Sequence, residues 1–280
     1  MFKTRLLSGI LLVAVALATI IPGNDILLVL LLLVSLIGMS ELYKVRHLEG
    51  TLPGIVGYVA AAAYYVLMRV QVKGPGKNEI LQQIDDQGIA LLLIVFLIVL
   101  MAVYVFSYPK YVSDEMMHVF FGVFYVAVML SYIYQTRMIP GEGAYLVWLV
   151  FLCSWGCDTF AYCVGMLIGK HKMSPKLSPK KSVEGAAGGV IGAAVLGAVY
   201  AAAVGHFGDA AGDPLLYALI CGAGALISMV GDLAASAIKR NYNIKDYGKL
   251  IPGHGGILDR FDSVIFTAPI IYYLSVFFIS

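Results

Sequence analysis

A chain of 280 residues that is 60% hydrophobic and only 13% charged lacks the composition of a soluble domain, in which about 25% of residues carry charge. The deficit runs along the whole length, which points to a polytopic membrane protein and excludes a soluble domain on a single anchor. The net charge of +2 comes with no basic face outside two short loops, so nucleic acid is excluded as a partner.

Crossing the hydrocarbon as a helix takes about 20 apolar residues. Runs of that kind fall at 5–22, 25–43, 54–72, 88–106, 115–134, 143–168, 184–205, 214–238 and 264–279. The expected fold is therefore all-α, with nine transmembrane helices. Residues 1–134 form an N-terminal transmembrane region, and 135–280 a C-terminal transmembrane region with polar loops at 169–183 and 239–263. The first two spans meet at "PGND", a tight turn, and read as a helical hairpin. Ala14-Val15-Ala16 and Ala16-Leu17-Ala18 after a basic start resemble a signal-peptidase site, but the apolar run resuming at Ile26 favours a retained first span.

Lys and Arg positions set the orientation. A cytoplasmic N-terminus puts Lys3, Arg5, Lys44, Arg46 and Lys110 inside, together with five basic residues in each of the two polar loops. Lys73, Lys77, Arg137 and Arg69 fall outside. The reading is a multi-pass protein of the cell membrane whose polar loops face the cytoplasm. Cys153, Cys157, Cys163 and Cys221 all lie in apolar stretches and read as small buried thiols. His47, His118 and His206 read as interfacial polar residues. The run "EGAAGGVIGAAVLGAVYAAAVG" suits close helix packing, because Gly and Ala let backbones approach.

Three polar features break this background. Asp158 lies inside the sixth span, with Ser154 one turn earlier. A carboxylate there costs roughly 2.5–3.5 kcal/mol near the bilayer centre, so it faces a polar cavity or a cation, or bonds to another helix. The loop "GKHKMSPKLSPKKSVEG" carries Lys170, Lys172, Lys176, Lys180 and Lys181. Its charge fits an inside-facing loop, attraction to anionic headgroups, or a phosphate receptor at a helix N-terminus. Composition does not choose among these. Ser182 is placed to cap the seventh span, with Glu184 near its start.

The third feature, "GDLAASAIKRNYNIKDYGKLIPGHGGILDRFDS", spans 231–263. Asp232, Ser236, Lys239 and Arg240 recur at helical spacing and share one face. Such a face can hold a metal on the acid and phosphate on the cations. Pro252-Gly253 and Gly255-Gly256 bracket His254 and permit a tight bend. Asp259 and Asp262 then stand on adjacent turns. Oxygen ligands beside phosphates suit Mg²⁺, and phosphoryl or nucleotidyl transfer asks a protein mainly for positioning and charge neutralisation.

The stretch "SAIKRNYNIKDYGKLIPGHGGILDRFD", Ser236 to Asp262, resembles the long signature of the phosphatidate cytidylyltransferases, also called CDP-diacylglycerol synthases, without a departure. Upstream, "CDTFAYCVGMLIGKHKMSPKLSPKKSVEG" resembles the family's nucleotide-side segment. It departs where relatives often have Asn before Asp158 and Thr-Trp in place of Ser182-Val183. The resemblance covers the C-terminal half specifically and the N-terminal spans by hydropathy alone.

It implies transfer of CMP from CTP to phosphatidic acid, giving CDP-diacylglycerol and pyrophosphate. It also implies Mg²⁺, with a monovalent cation such as K⁺ beside it. On that reading Asp232 and Asp259 hold the metal, with Asp262 as a third ligand or a supporting partner. Ser236, Lys239 and Arg240 bind phosphate oxygens, Lys180 and Lys181 steady the triphosphate, and Asp158 contacts the cation or cytidine. Lys245 and Arg260 join the substrate-binding set. His254 donates to pyrophosphate or organises its loop, because a phosphate monoester is already ionised at neutral pH and needs no strong base. Membrane lipids surround the site, and a homodimer is compatible with the sequence. The alternatives are a CTP-dependent enzyme for ether-lipid phosphates and a cation-coupled transporter. Against the transporter, the charges cluster at one face and no internal repeat is evident.

Overall fold

The computed structural model describes residues 2–73, 79–207, 212–253 and 255–279, with side chains omitted for 2–7, 73, 79–86 and 207. His254, Lys77 and the side chains of Lys3, Arg5 and Lys73 lie outside the described set. The chain folds into helices α1 (Phe2–Ile20), α2 (Asn24–Lys44), α3 (Leu52–Lys73) and α4 (Glu79–Phe106), followed by α5 (Ser113–Gly122) and α6 (Met129–Arg137). Then come α7 (Gly143–Phe151), α8 (Cys157–Ile168), α9 (Val183–Phe207), α10 (Pro214–Asn241) and α11 (Leu258–Phe278).

Two short π-helical turns, Val123–Val128 and Leu152–Gly156, join α5 to α6 and α7 to α8 into continuous spans. Among the described residues, eight helical segments are long and apolar enough to cross a membrane. α1, with the shorter apolar stretch Ser8–Ile20, stands where the first of the nine expected spans falls. The protein is an all-α, multi-pass membrane protein.

The turn between α1 and α2 is fixed from two directions. Arg137 donates from Nε to the Ile20 carbonyl and from Nη2 to the Ile21 carbonyl, each at 2.9 Å. These are free carbonyls at a helix C-terminus, where a cation is favoured. Arg69 pairs bidentately with Asp25 at 2.8 and 2.9 Å. Arg69 and Arg137, assigned to one side of the membrane by charge, thus gather at one end of the bundle.

The glycine-rich α9 packs closely on α8. A Cβ on Gly189 would come within 2.9 Å of the Cys157 carbonyl oxygen, and one on Gly188 within 2.5 Å of the Val164 side chain. Cys153, Cys157 and Cys221 are buried as expected, but Cys163 is exposed. The face of α8 that carries Ala161, Val164 and Gly165 turns towards α9, and Cys163 lies off it.

The basic segment between α8 and α9 is not irregular. It forms an antiparallel hairpin of β1 (Lys172–Ser174) and β2 (Ser178–Ser182). Glu184 fastens its base, accepting from the Lys170 and His171 amides at 3.1 and 3.2 Å and pairing with the His171 ring. Ser182 caps α9 as its position suggests, its hydroxyl accepting from the Gly185 amide at 3.1 Å.

Candidate active site

The last helix begins earlier than its apolar run. α11 starts at Leu258, six residues before the expected 264, so Asp259 and Asp262 sit in its first two turns. The reason lies elsewhere in the chain. Glu41, near the end of the second apolar run, is buried and accepts from the Ile257 and Leu258 amides at 3.0 and 2.9 Å. A carboxylate on the free amides of a helix start satisfies donors that would otherwise be orphaned. Gly248 and Gly256 flank this carboxylate so closely that a Cβ at either would overlap it. α2 therefore anchors the loop between α10 and α11.

Asp259 organises that loop from the other side. One carboxylate oxygen accepts from Lys239 at 2.9 Å, and the other from the Tyr247 and Gly256 amides at 2.8 and 2.9 Å. Its side chain is 1% exposed. Lys239 also stands 5.5 Å from the Tyr247 ring centroid. Gly253 and Gly255 take positive φ angles of 79° and 88°, the conformation glycine adopts at least cost. At Gly255 a Cβ would come within 2.8 Å of Asp259 Oδ2, so the bend and the carboxylate fit only with glycine there. Burial, with Tyr125, Asp259 and Asp262 nearby, pushes the Tyr247 phenol well above its ordinary pKa. Its hydroxyl donates to the Ala235 carbonyl at 3.2 Å, so Tyr247 braces α10 and does not act as a base.

These elements enclose a cavity of about 610 Å³, lined by Asp158, Lys181, Asp232, Lys239, Asp246, Asp259, Arg260 and Asp262. α1 closes part of it with Gly9, Leu12 and Val13. Lys181, at the end of the hairpin, pairs with Asp232 of α10. Ser154, expected beside Asp158, instead hydrogen-bonds Ser263 at 2.7 Å. The Asp262 carboxylate accepts from the Ser263 amide at 2.8 Å. Nε of Arg260 is a buried donor without a partner among the described residues, a costly arrangement unless an acceptor arrives.

Two further hollows open from this cavity. One, of about 320 Å³, shares Asp158 and Lys181 with it and adds Lys180, Tyr162 and Met173. The other, of about 520 Å³, shares Asp246 and Arg260 and adds Lys245, Lys249 and the bend at Gly253 and Gly255. The structure therefore brings Asp158, Asp232, Asp259, Asp262, Lys181, Lys239 and Arg260 together and sets Lys180 and Lys245 in adjoining hollows. Ser236 and Arg240 are not among the residues lining them. Arg240 is exposed at the end of α10. Glu41 and Asp246 are site elements that the sequence reading did not assign. The signal for Glu41 is a lone acid within an apolar span.

Asp232, Asp259 and Asp262, expected as metal ligands, all line this one cavity. Among the described residues no three acidic, His or Cys side chains form a ready-made metal site. Asp259 has both oxygens engaged by Lys239 and two amides, and Asp232 faces Lys181. The donor chemistry still fits a hard cation. The side-chain donors that line the cavity are oxygens, carboxylates with the Thr159 and Ser263 hydroxyls, and its five aspartates outnumber its three cations. Mg²⁺ commonly takes one or two carboxylates plus substrate phosphate oxygens, which does not require three preassembled acids.

A model of the cytidylyltransferase family matches residues 3–278. The phosphatidate cytidylyltransferase of Staphylococcus saprophyticus is 32% identical over 270 residues, 96% of this chain and 97% of the relative. Its namesake in Staphylococcus epidermidis is 32% identical over 269 residues, with the same coverage of both chains. The Staphylococcus aureus enzyme of that name is 29% identical over 269 residues, again covering 96% and 97%. Matched along nearly its whole length, with the polar signature gathered around one cavity, the chain belongs to the cytidylyltransferase family.

Proposed function

We propose that this protein transfers CMP from CTP to phosphatidic acid at the cavity between α8, α10 and α11, giving CDP-diacylglycerol and pyrophosphate. One observation carries the reading: five aspartates and three basic side chains share a single cavity within helices of membrane length. Transfer joins two highly anionic reactants, and a cavity with a formal surplus of acids accepts them only with a cation. A lipid phosphate oxygen attacks the α-phosphorus of CTP, the bond to the β-phosphate breaks, and pyrophosphate departs with the electron pair.

Lys239 and the unpaired Nε of Arg260 bind phosphate oxygens as charge-assisted donors. Lys181 and Lys180 hold the nucleotide side, and Lys245 with Lys249 receives the departing pyrophosphate in the loop hollow. Asp259 keeps Lys239 and the loop in register. Asp232 and Asp262, with Asp158 opposite, would hold Mg²⁺, which supplies neutralisation of phosphate charge as substrates meet. The same oxygen-only donors suit a monovalent cation such as K⁺ nearby. The inward bias of Lys and Arg supports a cavity facing the cytoplasm of the cell membrane and a lipid drawn from the inner leaflet.

The test supplies purified protein with CTP and Mg²⁺, offering phosphatidic acid and an ether-linked analogue side by side. CDP-lipid forms from the acyl lipid and stops on chelation. Product from the ether lipid alone, or solute uptake without CTP turnover, overturns the assignment. In the same assay Lys239→Ala lowers kcat/KM by about 10²-fold while the protein stays folded. Unchanged kinetics with both substrates would remove Lys239 from the site.

A further inference from the structure

We infer that a groove between α1 and the α7–α8 junction is the binding subsite for one acyl chain of the lipid substrate. This rests on the transfer reaction proposed for the adjoining cavity. The groove encloses about 480 Å³, and its lining includes Leu17, Trp148, Phe151, Trp155, Gly156 and Leu196, with no charged side chain. It is continuous with the catalytic cavity, because Val13, Trp155 and Thr159 line both. A molecule with its phosphate against Lys239 and Arg260 thus has an uncharged channel leading directly away from the reacting group.

Its length fits a single chain. Thr159 to Trp148 is eleven residues, about 16 Å along a helix at 1.5 Å per residue. One leaflet contributes half of a hydrocarbon core about 30 Å thick, so the groove and an extended acyl chain match. Local backbone makes the space. The π-helical turn Leu152–Gly156 interrupts the α-helical register here, and such turns are frequent at functional sites. Gly156 lets Leu196 of the facing wall pack directly on this turn: a Cβ there would come within 2.7 Å of Leu196 Cδ1. Along α1, Val13 and Leu17 are 49% and 42% exposed, leaving that edge open for a chain to enter from the bilayer. The second chain of the lipid remains outside in the membrane.

Two variants narrow the groove from opposite walls, Gly156→Leu and Leu196→Phe, without touching Asp, Lys or Arg of the cavity. Each is assayed in mixed micelles with dioleoyl and with dihexanoyl phosphatidic acid at saturating CTP. KM for the dioleoyl lipid rises about tenfold in either variant, within the range for a misfitted apolar pocket. KM for the short lipid and for CTP stays at the parental value. Trp148→Ala, at the far end, weakens discrimination between long and intermediate chains. Equal losses on both lipids, or none on either, overturn the subsite, since bulk lipid or detergent filling a surface crevice gives no chain-length dependence. A parental protein inactive with both lipids would instead contradict the reaction on which the subsite rests.

Discussion

Asp259→Asn lowers kcat/KM for CTP and for the lipid by about 10²–10³-fold, the range seen when a preorganised charge-stabilising group is lost. The carboxylate is 1% exposed and accepts from Lys239 and two loop amides. Asparagine preserves the size but offers one acceptor where three donors converge, and its own amide meets another donor. Removing one member of a buried ion pair costs about 3–5 kcal/mol, because the remaining charge is stranded. The loop therefore loosens, and trypsin cleaves at Lys245 and Lys249 faster than in the parent. The double variant Asp259→Asn with Lys239→Met removes the stranded charge and recovers much of the thermal stability, but not the activity. Parental turnover in purified Asp259→Asn would contradict the placement of this carboxylate at the centre of the loop.

Glu41→Ala has the next largest effect, although Glu41 precedes Ile257 by 216 residues. It lowers kcat by about 10²-fold, the scale at which a small misplacement of catalytic groups is felt, with a smaller change in KM for CTP. The two amides at the start of α11 lose their acceptor, and the turn that carries Asp259 and Arg260 shifts. Glu41→Gln keeps a single acceptor and falls between the parent and alanine. Gly256→Ala reproduces the defect from the other side, because its Cβ would occupy the carboxylate's position. Steady-state kinetics of the three variants with both substrates checks this order. Parental kcat in all three would show that α11 starts correctly without the α2 anchor.

Much of this architecture is legible in the residues. Apolar runs of span length mark the helices, and the Asp-to-Asp and Asp-to-Lys spacings put Asp232 and Lys239 on one wall, Asp259 and Asp262 on another. What escaped depends on contacts between distant segments. Hydropathy begins the last span at 264, because the turn at 258–263 is polar. Glu41 of α2, far away in sequence, accepts from the amides at the start of that turn. The basic loop is a hairpin because Glu184 gathers the amides at its base, which no alternating pattern announces. Helical spacing also placed Ser236 and Arg240 with Asp232, but a shared face does not fix how far round that face the cavity reaches. The ion pairs that engage Asp232 and Asp259 likewise join separate elements, which helical spacing alone does not show.

The most direct measurement follows a radioactive α-phosphate from CTP in purified protein supplied with phosphatidic acid and Mg²⁺, comparing the parent with Asp232→Asn. In the parent the label enters the lipid fraction as CDP-diacylglycerol, with one pyrophosphate released per lipid labelled, and in Asp232→Asn both products fall together. Label that stays in water-soluble nucleotide while the parent is folded and both substrates are present would contradict the account, as would full lipid labelling by Asp232→Asn.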